Sequence, residues 1–232
     1  MFERKSGVFL LAGLGFFALA FFSNGLIPWL MYSKDAEQTV EDTIESQLTV
    51  PATDKTGALK THRVNVVSEF KLLALLYHES FAKFYGEDGK KWSDDQWKQK
   101  TADTIRRGRK EYIAEGCWHC HSQFIRPVSN EEKRWGPVSR SWEYNNELQR
   151  PVMFGTRRGG PDLSREGGRR SNDWHAAHFY RPRDTSPLSE MPDYPWFFDG
   201  EPGRPNERGF AIITYMQWLG SWYPSYPDYG QY

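Results

Sequence analysis

EGCWHCHSQF, residues 115–124, holds both cysteines of a 232-residue chain, three apart, with a histidine directly behind the second. Three chemistries use such a pair: a redox dithiol, half of a zinc site, or the attachment point of a c-type haem. A structural zinc ion takes four nitrogen or sulfur ligands, usually from two such pairs. With the cysteines used up, His119, His121, His175 or His178 would have to complete that shell. A redox dithiol sits at the N-terminus of a helix that follows a strand. No strand pattern precedes Cys117, and the nearest helical pattern lies before the pair rather than after it. Haem attachment asks for what is present: two thiols to form thioethers with the two vinyl groups, and His121 to stand under the iron. Cys117 and Cys120 are therefore the candidate covalent haem sites and His121 the candidate proximal ligand.

Immediately upstream, WSDDQWKQKTADTIRRGRKEYIAEG (92–116) predicts a helix. Ser93 with Gln96 fits a capping box, and Gly116 is placed to end it. Ile105, Gly108 and Tyr112 share a face. A mid-helix glycine costs about 1 kcal/mol relative to alanine, so Gly108 marks a close helix crossing. Before that, VVSEFKLLALLYHESFAKFYGED (66–88) sets Phe70, Leu73, Tyr77, Phe81 and Phe84 on one helical face. Such a helix seeks a partner, the membrane interface or this chain's own domain. Residues 35–63 read as an acidic, Thr-rich linker without sustained periodicity.

Downstream, regular patterns are scarce from Phe124 to Phe210. SPLSEMPDYPWFFDGEPGRPN (186–206) has five prolines, which rule out a long helix. The chain then closes with ERGFAIITYMQWLG (207–220), where Ile212, Tyr215, Met216 and Leu219 form an apolar stripe before Gly220. The reading is a mostly α domain wrapped by long loops. A sixth ligand for the iron is a thioether or imidazole arriving from a loop on the far side, and the candidates are Met153, Met191, Met216, His175 and His178. Met216 belongs to the apolar stripe and Met153 adjoins glycine-rich turns on the proximal side. Met191 stands in a proline-stiffened loop beside aromatics and is preferred. The two histidines read as surface or propionate contacts.

From Ser6 to Ser33 there is no charged residue, and the apolar positions exceed the roughly 20 that a membrane-spanning helix needs. Arg4 and Lys5 precede this span, and after Lys34 the next charged residues, Asp35, Glu37, Glu41, Asp42 and Glu45, are all acidic. The positive-inside rule keeps the N-terminus in the cytoplasm and exports the remainder. Ser23, Asn24 and Pro28 mark either a face toward another membrane helix or the outer interface. Thirty basic and thirty acidic residues cancel, which leaves no global field for nucleic acid. Between Arg150 and Arg183 eight arginines face only three acids, Asp162, Glu166 and Asp173. Arginines there and Arg126 are candidates for haem propionates or for docking a partner, with Arg126 and Arg157 singled out.

GCWHCHSQFIRP, GTRRGGPDLSREGG, NDWHAAHFYRPRD and MPDYPWFF, in that order after one N-terminal span, resemble subunit II of cbb3-type cytochrome c oxidases, the membrane-anchored mono-haem cytochrome c subunit. The resemblance covers the anchor and residues 103–220. It implies a class I cytochrome c-like domain over 93–232, an anchor over 1–34, and between them 35–92 as an acidic linker and amphipathic helical insertion longer than the family's usual connection. It implies one haem c on Cys117 and Cys120, His121 and Met191 as axial ligands, and a Pro161 carbonyl that accepts the His121 Nδ1–H. Partners follow from it as well: a di-haem cytochrome c subunit as donor, the catalytic haem-copper subunit as acceptor, and the bilayer of a bacterial inner membrane, with the haem domain periplasmic. The rival classes are a haem c subunit of another complex, nitric oxide reductase-like or quinol-linked, and a zinc or thiol module.

Overall fold

A computed structural model describes residues 2–33, 37–49, 64–86, 89–200 and 204–223. The described residues form no strand; only two isolated bridges occur, Gln38 with Asn146 and Phe198 with Pro205. Two units are distinguished, Met1–Glu37 and Gln38–Tyr232.

The first unit is one apolar rod. Helix α1 (Phe2–Phe21) continues through a π turn (Phe22–Leu26) into α2 (Ile27–Tyr32). The π turn has a local cause. Pro28 has no N–H for the Asn24 carbonyl, and the backbone loosens so that the Ile27 N–H reaches back five residues to Phe22 O. Lys5–Tyr32 has 28 residues, about 42 Å at 1.5 Å per residue, which exceeds the roughly 30 Å of bilayer hydrocarbon. Its phenylalanines and all its leucines but Leu26 are exposed, as a lipid-facing surface requires.

The second unit is built on a crossing of α6 (Asp94–Ala114) with α11 (Glu207–Trp218). The expected capping box is present: the Ser93 side chain accepts from Gln96 N–H, and the Gln96 side chain accepts from Ser93 N–H. At the crossing a Cβ on Gly108 would lie 2.1 Å from Ala211 O and 2.5 Å from Tyr215 Cβ, so only glycine lets the two backbones meet. On α11 nearly every residue is buried, Met216 among them.

Two expectations for the stretch before α6 change. The segment read as one amphipathic helix is two, α4 (Val66–Leu76) and α5 (His78–Tyr85), broken at Tyr77 (φ −122°, ψ 43°). The break is what lets Phe70 and Phe81 touch, ring centroids 5.4 Å apart. Eleven residues apart on a straight helix, they would be separated by about 16 Å along the axis. With Tyr85, Trp92, Trp97 and Phe210 they form one aromatic cluster in the chain's own core. The expected linker also contains a helix, α3 (Val40–Thr49). Thr39 and Asp42 cap it reciprocally, Asp42 N–H to Thr39 Oγ1 at 3.1 Å and Thr39 N–H to Asp42 Oδ2 at 2.8 Å. The buried face of α3 is Val40, Thr43, Ile44 and Gln47. Thr43 Oγ1 accepts the Trp218 indole N–H at 2.9 Å, and Gln47 bridges Ser221 and the Val66 N–H. Half of that face is polar, which hides its helical period from hydropathy. Of the expected linker, 35–36 and 50–63 lie outside the described residues.

Short helices punctuate the loops: α7 (Cys117–Cys120), α8 (Glu131–Trp135), α9 (Asn172–Tyr180) and α10 (Pro182–Thr185). A buried ion pair, Arg165 with Glu143 at 2.9 Å, fastens the long loop between α7 and α9, and the Tyr223 hydroxyl donates to the same carboxylate.

Candidate haem site

Gly116 ends α6 in the left-handed region (φ 68°), as its position in the sequence suggested, and the reversal launches the single turn α7 that carries both cysteines. Cys117 is buried and Cys120 exposed, and both thiols are free. His121 leaves the turn in extended conformation (φ −112°, ψ 134°).

A second segment closes over this turn. Gly160 N–H donates to Cys120 O (3.0 Å), Thr156 and Arg157 N–H to His119 O (3.1 and 2.9 Å), Leu163 N–H to Ser122 O (2.8 Å) and Gln123 N–H to Met153 O (2.6 Å). Asp162, itself buried, accepts from the Ser122 hydroxyl at 2.5 Å and Phe124 N–H at 2.9 Å. This lacing brings Pro161 O to 2.9 Å from His121 Nδ1. A carbonyl oxygen only accepts, so Nδ1 carries the proton and Nε2 presents a lone pair. Burial holds the His121 pKa below the usual histidine range, against the pull of the Pro161 bond, which favours the neutral, ligating form.

The remaining candidates are placed unequally. Met216 is core, with 3% exposure. Met153 lines an open groove beside Trp118 and Phe154, and its peptide is laced to the segment that holds His121. Met191 is half-buried in a loop tied to α9 by Tyr194 N–H to Phe179 O (2.9 Å). On α9, His178 stacks on Trp174 and pairs Nδ1 with Thr185 Oγ1 at 2.6 Å. Burial, then the nearby His121, then Arg170 press its pKa down to about 4. His121 and α9 thus lie within electrostatic reach of each other. His175 does not lie at the surface as expected: it is 3% exposed, its Nε2 has no hydrogen-bond partner, and burial first, then His178 and Arg170, push its pKa down to about 3.

Part of the arginine-rich segment is internal scaffolding, while Arg170, Arg181 and Arg183 are exposed. Arg158 pairs with buried Glu131 and donates to Ser122 Oγ, Arg165 pairs with Glu143, and Arg150 donates to Tyr144 O and Asn145. Arg126 is held by Glu131, Nε to Oε1 at 3.3 Å, and Arg157 is exposed. Tyr194 and Gly160 also belong to the site; both lie in motifs that carry the resemblance, MPDYPWFF and GTRRGGPDLSREGG, but no role was read for either. Tyr194 is buried, and its phenol is pushed up by burial first and then by the neighbouring Cys117, Glu115 and Cys120. Gly160 lies against the imidazole.

The rival chemistries fit less well. Among the described residues no three His, Cys, Asp or Glu side chains gather as a metal cluster would require. Burial pushes the Cys117 thiol up to about 12, the reverse of the lowered pKa that activates a redox cysteine. The donor set fits a haem: two free thiols on one turn, and an imidazole with Nδ1 bonded and Nε2 available.

The model of a family described as cytochrome c oxidase, mono-heme subunit/FixO matches residues 95–207, a stretch that contains every expected site residue. Over those residues the chain is similar to that family. It is the family that the sequence resemblance to subunit II of cbb3-type oxidases pointed to. No curated protein matches the chain. The match supports a mono-haem subunit of a respiratory cytochrome c oxidase with a role in electron transport, and the apolar helix Lys5–Tyr32 fits a membrane anchor. Its helical second unit, with the CWHCH turn directly after α6, has the mostly α, cytochrome c-like character expected. Helices α3 to α5 precede the matched stretch, yet α3 and α4 pack on α6, α4 packs on α11, and Phe81 of α5 meets the rings of Trp97 and Phe210.

Proposed function

We propose that the protein carries one haem c bound through thioethers to Cys117 and Cys120. In this reading it relays electrons from a di-haem cytochrome c subunit to the catalytic haem-copper subunit of a cbb3-type oxidase, and itself reduces no oxygen. One observation carries the reading: the 2.9 Å contact of His121 Nδ1 with Pro161 O, which sets the tautomer before any metal arrives. The haem supplies one-electron exchange between ferric and ferrous iron. The chain's own residues do the rest. His121 offers Nε2, and the Pro161 carbonyl raises the basicity of the ring and fixes its rotation. Met191, on the loop tethered to α9, would supply the thioether, and Met/His ligation would raise the potential toward that of an electron donor to an oxygen-reducing centre. Burial of Cys117 keeps one attachment point dry, while exposed Cys120 leaves an edge open for electron exchange. Helices α3 to α5 serve as a buttress of the haem domain. Arg4 and Lys5 favour a cytoplasmic N-terminus and a periplasmic haem domain. Of the arginines proposed for haem propionates, Arg157 has the exposure to reach one, whereas Arg126 is already engaged with Glu131.

The intact membrane complex, isolated through a tag on this chain, tests the assignment. A copper-containing haem b subunit and a di-haem cytochrome should co-purify. A partner that holds haem b without copper would move the chain to a nitric oxide reductase-like complex.

A further inference from the structure

We infer that Gly160 is the positioning residue for the His121 imidazole: the absent side chain is the space in which the ring lies. The inference rests on the haem reading above. A Cβ at Gly160 would stand 2.2 Å from His121 Cε1, 2.6 Å from Nδ1 and 2.8 Å from Nε2. Non-bonded atoms prefer about 3.5–4.0 Å, so no side chain fits while the ring stays in place. The glycine is not needed for its backbone, because Gly160 is not among the residues with positive φ. Its own position is fixed by the N–H bond to Cys120 O at 3.0 Å, and the next residue holds Nδ1. Pro161 therefore sets the rotation of the ring, and Gly160 sets how closely the ring sits against the loop. A methyl group there would push the ring outward and stretch the Nδ1–H bond to Pro161. That lowers the basicity of Nε2 and turns the ligand plane. The adjacent Gly159 is a control within the same turn, since a Cβ there would meet only Glu190 Oε2, at an ordinary 3.5 Å.

The test compares full-length wild type, Gly160→Ala and Gly159→Ala, each produced with haem-attachment machinery, by electron paramagnetic resonance of the ferric form and by redox titration. Gly160→Ala should shift the principal g-values and raise the midpoint potential, while Gly159→Ala should superimpose on wild type. A wild-type chain without covalent haem would sink the functional reading itself. A haem-loaded Gly160→Ala with wild-type g-values and potential would overturn the inference alone. Should Gly160→Ala fail to accumulate, His121→Ala is compared with His121→Ala/Gly160→Ala by thermal melting. Equal melting supports the inference, because the methyl group is tolerated once the ring is gone. A lower melting point in the double variant overturns it, because the clash would then be with something other than the ring.

Discussion

Two histidines in this protein are held neutral for different ends. His121 keeps Nδ1–H on the Pro161 carbonyl and leaves Nε2 as a donor. His175 is buried with an Nε2 that bonds nothing, its pKa pushed down to about 3 from an ordinary 6.5. The folded state binds a proton there later than the unfolded chain does. His175 therefore contributes stability above about pH 6.5 that is lost as the pH falls toward 3. Thermal melts at pH 7 and pH 4 should differ less in His175→Leu than in wild type; an unchanged gap would show that His175 titrates normally. Met191 is tested by its spectrum. Met191→His should abolish the weak near-infrared charge-transfer band of thioether-ligated ferric haem and lower the potential. If the band survives that change and vanishes in Met153→His, the ligand is on the other loop. Cys117, Cys120 and His121 were legible in the sequence because the attachment chemistry places them side by side. The roles of Gly160 and Tyr194 were not, although both lie in motifs that stand out in the sequence, because each meets the cysteine turn only after distant segments have folded together.

Elements were legible where the chain marks its own ends. Ser93 with Gln96, Gly116 and the Gly108 face gave α6 and the existence of a close crossing on it, though not the partner, from local residues alone, and each has the role expected of it. Helix α3 was missed because Thr43 and Gln47 are buried through hydrogen bonds to Trp218, Ser221 and Val66, contacts 19 to 175 residues away in sequence. The break at Tyr77 was missed for a related reason: the apolar period runs on through it, and the bend serves the Phe70–Phe81 contact rather than any local propensity. The place of α3 in the core has a direct test. Ile44 is 1% exposed, so Ile44→Ala should lower the unfolding free energy by about 2–5 kcal/mol in denaturant titration. A loss below about 0.5 kcal/mol, typical of a surface change, would mean that α3 is only a tether.

At the scale of the molecule, an apolar helix long enough to cross a bilayer and a mostly helical unit with a CWHCH turn follow from composition and motif. The use of the arginine-rich segment does not. Charge counting between Arg150 and Arg183 suggested propionate contacts or a docking surface; Arg158 and Arg165 are consumed by Glu131 and Glu143 inside the fold, while Arg157, Arg170, Arg181 and Arg183 stay exposed. Pairing partners outside a segment cancel its charge, and a count within the segment does not see them. The claim that joins all three scales is that one haem is bound covalently by the turn at Cys117–Cys120. Mass spectrometry of the denatured full-length chain, produced with haem-attachment machinery, tests it most directly. The account predicts the mass of the chain plus one haem, and the chain mass alone once Cys117 and Cys120 are both changed to alanine. A colourless wild-type chain at its unmodified mass that binds zinc in a one-to-one ratio would contradict it.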